Sequence, residues 1–265
     1  MRILKPFLLP LAAFLIITGL IVWADSLPSL IGWPGWEPAA CYPGCFCEAF
    51  RAGGFAQPLS AYSNLFYILA GLLILATRDL PAHDARANRM TAARGYITGF
   101  GGAVVAIGLT SLFFHVTLTN IGRWLDYMGM YAFTGYALTY SLERLRRRDD
   151  AAFVIAYGLL LATLGGLWFA APEYRRPLLG GLILGVTLVE AAAHGMRRPL
   201  RIRTRYLLAA LACFFAAYWI NMADEAGTLC VPASLWQWHA VWHFLTAAST
   251  VLLYVYYRSE DEGPR

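Results

Sequence analysis

The chain has 265 residues, 59 % of them hydrophobic and only 14 % charged, where a soluble domain carries roughly 25 % charge. Its apolar residues gather in runs of about twenty, enough to cross about 30 Å of hydrocarbon as helices, and the period-two alternation of a β-barrel is absent. The formal net charge of +5 does not indicate nucleic acid, because the arginines sit in the loops between apolar runs instead of on an aromatic-studded patch. The expected fold class is all-α, a polytopic membrane helical bundle.

After Arg2 and Lys5, a run from Pro6 to Ala24 predicts a retained N-terminal transmembrane helix or signal anchor, residues 1–24. Residues 25–58, rich in Trp, Pro, Gly and Cys, read as an ordered extramembrane loop, with Trp33, Trp36 and Tyr42 suited to the interface. A second helix is expected over 59–77, with Ser60, Ser63 and Asn64 facing the bundle because polar groups in hydrocarbon need partners. The loop 78–94 is charged. A third helix, 95–118, opens with Gly99, Gly101 and Gly102, which suit close helix approach, and carries Ser111 and His115 near its far end.

A tight turn at 119–123 leads to a fourth helix over 124–142, with Asp126 in its first turn. The basic loop with Arg144, Arg146, Arg147 and Arg148 precedes a fifth helix at 151–170 and a sixth at 177–194. The sixth ends in Glu190 and His194, a pair that ion pairing or snorkelling toward Arg197, Arg198, Arg201, Arg203 and Arg205 explains. A seventh helix is expected at 206–223 and an eighth at 235–257, followed by a polar tail, 258–265. With eight crossings, seventeen of the 21 Lys and Arg fall on the side of both termini, which the charge bias makes cytoplasmic. Arg51, Arg123, Arg175 and Arg176 fall on the other side.

Of the five cysteines, Cys213 lies in an apolar run and reads as a packing residue. Cys230 shares a side of the membrane with Cys41, Cys45 and Cys47, so a bridge to any of the three is compatible with an oxidising compartment.

The chemistry concentrates in His239 and His243, four apart and hence on one side of a helix. Ser111, His115 and Asp126 come back to the same depth across one turn. Three imidazoles with a fourth position open suit a hydrolytic zinc site, and ionisable groups inside a bilayer usually face a cavity or a partner.

These residues resemble the alkaline ceramidase family and its superfamily of seven-helix membrane hydrolases, which also holds the progestin and adiponectin receptors and GPI-anchor lipid remodelling enzymes. The resemblance lies in Ser111-Leu112-Phe113-Phe114-His115, Asp126, Gln237-Trp238-His239-Ala240-Val241-Trp242-His243, and Cys47-Glu48 ahead of Ser63-Asn64-Leu65. It implies a seven-helix hydrolase core at 59–257 with the first helix as an added crossing. It further implies Zn2+ held by His115, His239 and His243, with Ser111 near the scissile carbonyl and Asp126 assisting proton transfer. The implied substrate is a membrane lipid, a ceramide or other N-acyl lipid, cleaved to a sphingoid base and a fatty acid. Cys47 and Cys230 match a cysteine pair that would lock the loop over the bundle.

Glu48 is retained from the family's Ca2+ site, but Cys45, Phe50 and Gln57 stand where oxygen-rich ligands would be expected, which argues against calcium there. A lipid-ester or phospholipid hydrolase, or a receptor-like lipid-binding protein, is the alternative reading. The expected setting is a bacterial inner (plasma) membrane, with the active site toward the extracytoplasmic side.

Overall fold

The computed structural model describes residues 5–28, 36–80, 89–146, 149–194 and 202–260. Trp33, Arg147, Arg148, Arg197, Arg198, Arg201 and most of the polar tail lie outside the described residues. The described chain is helical, without strands, and its helices fall close to the expected runs. They are α1 (Lys5–Asp25), α2 (Pro58–Ser63), α3 (Leu65–Ala76), the one-turn α4 (Arg89–Ala92) and α5 (Arg94–Thr117). Then come α6 (Asn120–Arg146), α7 (Asp150–Ala170), α8 (Arg175–His194), α9 (Thr204–Glu225) and α10 (Trp238–Arg258). The segment expected as one helix over 59–77 is broken at Asn64 into α2 and α3, which together make one span.

Among the described residues, seven helices are long and apolar enough to cross a membrane, and this is an integral membrane protein. The expected fourth crossing, α6, is not among the seven, although its 27 residues rise about 40 Å. It carries Arg123, Asp126, Glu143 and Arg144. An interior helix can hold such groups when the neighbours supply partners, and α6 packs against α5, α7 and α8. It also starts at Asn120, four residues before the expected start, so the turn after α5 is shorter than 119–123. Asp126 therefore stands beyond the first turn, where compensation of the helix dipole no longer explains it.

α3 lies against α5 and α10, α9 against α10, and α1 is added on the outside of α3 through Phe14, Ile17 and Ile21. The α3–α5 approach depends on Gly71 and Gly101. A Cβ on Gly71 would stand 2.7 Å from the Gly101 carbonyl oxygen, and one on Gly101 would stand 3.1 Å from that of Gly71. Gly99 meets the Tyr136 ring on α6, whereas Gly102 faces open space and has no part in the close approach.

At the end of the bundle bearing the arginine-rich loops, the core is closed by tyrosines and a buried ion cluster. Arg144 pairs with Glu190, and with Glu260 at 3.3 Å; all three are buried. Ser141 Oγ donates to Glu190 at 2.6 Å and Tyr256 OH does so at 2.7 Å. Glu190 is thus ion-paired, but with Arg144 of α6 and not with the loop arginines expected for it, and it does not snorkel: it is fully buried and ties α6, α8 and α10 together.

Candidate metal centre and its cavity

His115 occupies the last turn of α5, which Leu118 ends in a left-handed conformation at φ 46°. His239 and His243 occupy the first two turns of α10. All three imidazoles are buried, and one nitrogen from each lies within 4.8 Å of the others. The ring centroids are 4.6 to 5.2 Å apart.

The hydrogen bonds behind these rings fix which nitrogen is available. His115 Nδ1 is 3.0 Å from Gln57 Oε1, while the Gln57 amide donates to the Glu48 carbonyl and so cannot be turned around. His239 Nδ1 is 3.0 Å from Asn221 Oδ1, and the Asn221 amide donates to Glu225. His243 Nδ1 is 2.6 Å from Ser63 Oγ, whose only proton goes to the Ser60 carbonyl at 2.7 Å. Each outer atom is therefore an acceptor, so each Nδ1 carries the proton and each Nε2 presents a lone pair. Three neutral imidazoles held in this way by outer acceptors are a donor set that fits zinc, with room for a fourth ligand.

Asn221 and Gln57 were not anticipated in this role. Asn221 had a legible signal, being the one side-chain amide in the apolar run of α9. Gln57 stood out only as a poor calcium ligand. Ser63 faces the bundle, as its polarity required.

The loop ahead of α2 covers the site. Gln57 N–H donates to the His115 carbonyl at 3.0 Å, and Ala56 N–H to that of Val116 at 3.2 Å. Phe46 stacks on His239 with centroids 3.7 Å apart and lies 5.2 Å from His115. Two disulfides hold the loop: Cys47–Cys230 anchors it to the α9–α10 connection, and Cys41–Cys45 closes a short turn that the sequence left open. Cys213 is free, as its apolar setting suggested.

Glu48 caps a helix end: its two carboxylate oxygens accept from the backbone N–H groups of Leu59 at 2.7 Å and Ser60 at 2.8 Å, donors of the first turn of α2 that lack an intrahelical partner. Glu48→Ala is accordingly expected to lower stability by about 2 kcal/mol, equally with and without calcium in a detergent melting experiment.

A cavity of about 710 Å³ opens beside His239 and His243. Its walls come mainly from α5, α6, α8, α9 and α10. Ser111, one turn before His115, and Asp126 both line it. All five expected site residues thus meet at one end of the bundle. A narrower hollow of about 110 Å³ continues between apolar side chains such as Phe133, Leu207, Leu211 and Leu253, sharing Tyr67, Met130 and Trp242 with the larger one. The polar groups gather at one end of the combined space, and apolar side chains line the other. No protein-family model matches the chain, and no curated protein matches it.

Proposed function

We propose that the chain is a zinc-dependent intramembrane lipid hydrolase that cleaves the amide of a ceramide or another N-acyl lipid. The observation that carries this reading is the convergence of three neutral imidazoles, each with Nδ1 locked, beside Ser111 and Asp126 on the wall of the cavity. The resemblance of the Ser111–His115, Asp126 and His239–His243 motifs to the alkaline ceramidases supports the choice of substrate. Two disulfides at this end of the bundle, and the arginine bias toward the other, support an extracytoplasmic site in an inner (plasma) membrane with both termini cytoplasmic.

His115, His239 and His243 would hold the ion, which supplies Lewis acidity and a water made nucleophilic near neutral pH. Asp126 takes the proton of the attacking water and passes it to the leaving amine. Ser111 lines the same wall, and as the carbonyl becomes tetrahedral its hydroxyl donates to the oxyanion, a contact worth roughly 3 kcal/mol. Phe46 and the disulfide-held loop keep bulk water from the histidines. Acyl methylenes moving from bilayer to channel gain little, because both surroundings are apolar, so contacts at the polar end decide specificity.

The test is a product assay on the purified protein over a mixed lipid extract, with metal analysis of the same sample. Asp126→Asn is expected to lower turnover by about 10²- to 10⁴-fold with metal content unchanged. Release of no fatty acid from any N-acyl lipid by metal-replete protein would overturn the reading.

A further inference from the structure

We infer that, of the N-acyl lipids named above, the cavity takes one that carries an anionic group, phosphate or carboxylate, near the scissile carbonyl in preference to a neutral ceramide, and that Arg123 of α6 recognises it. The inference rests on the hydrolase reading and adds a substrate class to it.

Four arginines fall at the cavity end of the bundle, and three of them are engaged. Arg51 pairs with Asp25. Arg175 donates to the Pro172 carbonyl and lies over the rings of Tyr127 and Trp168. Arg176 makes two hydrogen bonds of 2.9 Å to Glu225. Arg123 is half-buried in the cavity wall, and among the described residues no hydrogen bond or ion pair engages its guanidinium. Its charged neighbours include Arg175 and Arg176, of like sign, and Asp126, which attracts it across the wall without making a direct ion pair.

Two acids on the same wall are already committed: Asp224 takes the Cys47 N–H at 3.2 Å, and Glu225 is held by Arg176 and Asn221. A half-buried guanidinium on a cavity wall with no acid bonded to it has donors free for an incoming anion, and its planar fork suits phosphate or carboxylate. Membrane topology gives no reason for arginine here, since the charge bias favours the opposite side. Asp224 Oδ1, buried and without a partner in the same lining, is an acceptor fit for a hydroxyl or amide N–H of the same headgroup.

The experiment compares the full chain with Arg123→Gln and Arg123→Lys on three N-acyl lipids of one chain length, bearing hydroxyl, phosphate or carboxylate headgroups. Binding of non-hydrolysable N-alkyl analogues of the same three lipids is measured in parallel, in uncharged detergent, with inorganic phosphate as competitor. The wild type is expected to favour an anionic lipid over the neutral one by about ten- to hundredfold in kcat/KM and in affinity. That ratio should fall to near one in Arg123→Gln and recover in part in Arg123→Lys. Phosphate or carboxylate emerges as the one giving the larger ratio, and competition by inorganic phosphate shows whether the anion alone suffices. Equal handling of neutral and anionic lipids by the wild type, or a ratio retained in a folded Arg123→Gln, overturns the inference. If no lipid is hydrolysed the hydrolase reading fails by itself, and the binding ratio still decides the role of Arg123.

Discussion

Replacing His239 with alanine is expected to remove tightly held metal from the purified protein and to lower lipid amide turnover by at least about a thousandfold, since the ion supplies several kcal/mol of transition-state stabilisation. His239 is the ligand to change because it lines the cavity directly and Phe46 stacks on it. The adjoining residue gives a graded control. Asn221→Leu leaves the imidazole in place but removes the acceptor of its Nδ1 proton at 3.0 Å, so metal affinity should fall by roughly 10- to 100-fold and excess zinc should restore turnover. Metal analysis and a zinc titration of turnover distinguish the two variants. Metal content and turnover both unchanged in a folded His239→Ala protein would remove the three-histidine centre from the account.

Arg144→Met is expected to be the most damaging change to the fold away from that centre. Arg144 pairs with both Glu190 and Glu260, and all three side chains are at most 2 % exposed. Its removal takes the paired cation from two buried carboxylates, which costs about 3–5 kcal/mol. The measurement is thermal unfolding in detergent, where the single variant should melt well below the wild type. Adding Glu190→Gln to it should recover part of the loss, since one of the stranded charges is then neutral. The ion cluster meets the last turn of α10 while His239 and His243 sit at its start, a separation of about 25 Å at 1.5 Å per residue. Folded Arg144→Met protein is therefore expected to keep its metal.

These two clusters show how differently the parts of the molecule could be read beforehand. Apolar runs of crossing length give α1, α5, α7, α8, α9 and α10 to within about three residues, because every backbone group in hydrocarbon must be satisfied within its own helix. The spacing of His239 and His243 puts them on one side of α10 whatever surrounds them. α6 was the hardest helix to bound, since its polar residues are answered by other helices and do not mark its ends. Gly101 and Gly102 look alike in the chain, yet only Gly101 meets a neighbour. The angle at which α5 faces α3 decides between them, and no local pattern encodes that angle.

From the chain alone came the membrane-spanning helical architecture and the five residues of the candidate site, since both follow from periodicity and from the cost of placing ionisable groups in hydrocarbon. Tertiary structure alone decided which nitrogen of each histidine is free, through Gln57, Ser63 and Asn221 from three separate segments. It also gave Glu48 to the start of α2, closed Cys41 onto Cys45, and left the Arg123 guanidinium without a bonded acid. All but the Cys41–Cys45 closure depend on segments distant in sequence, fixed by how the helices pack and therefore carried by no single stretch of residues.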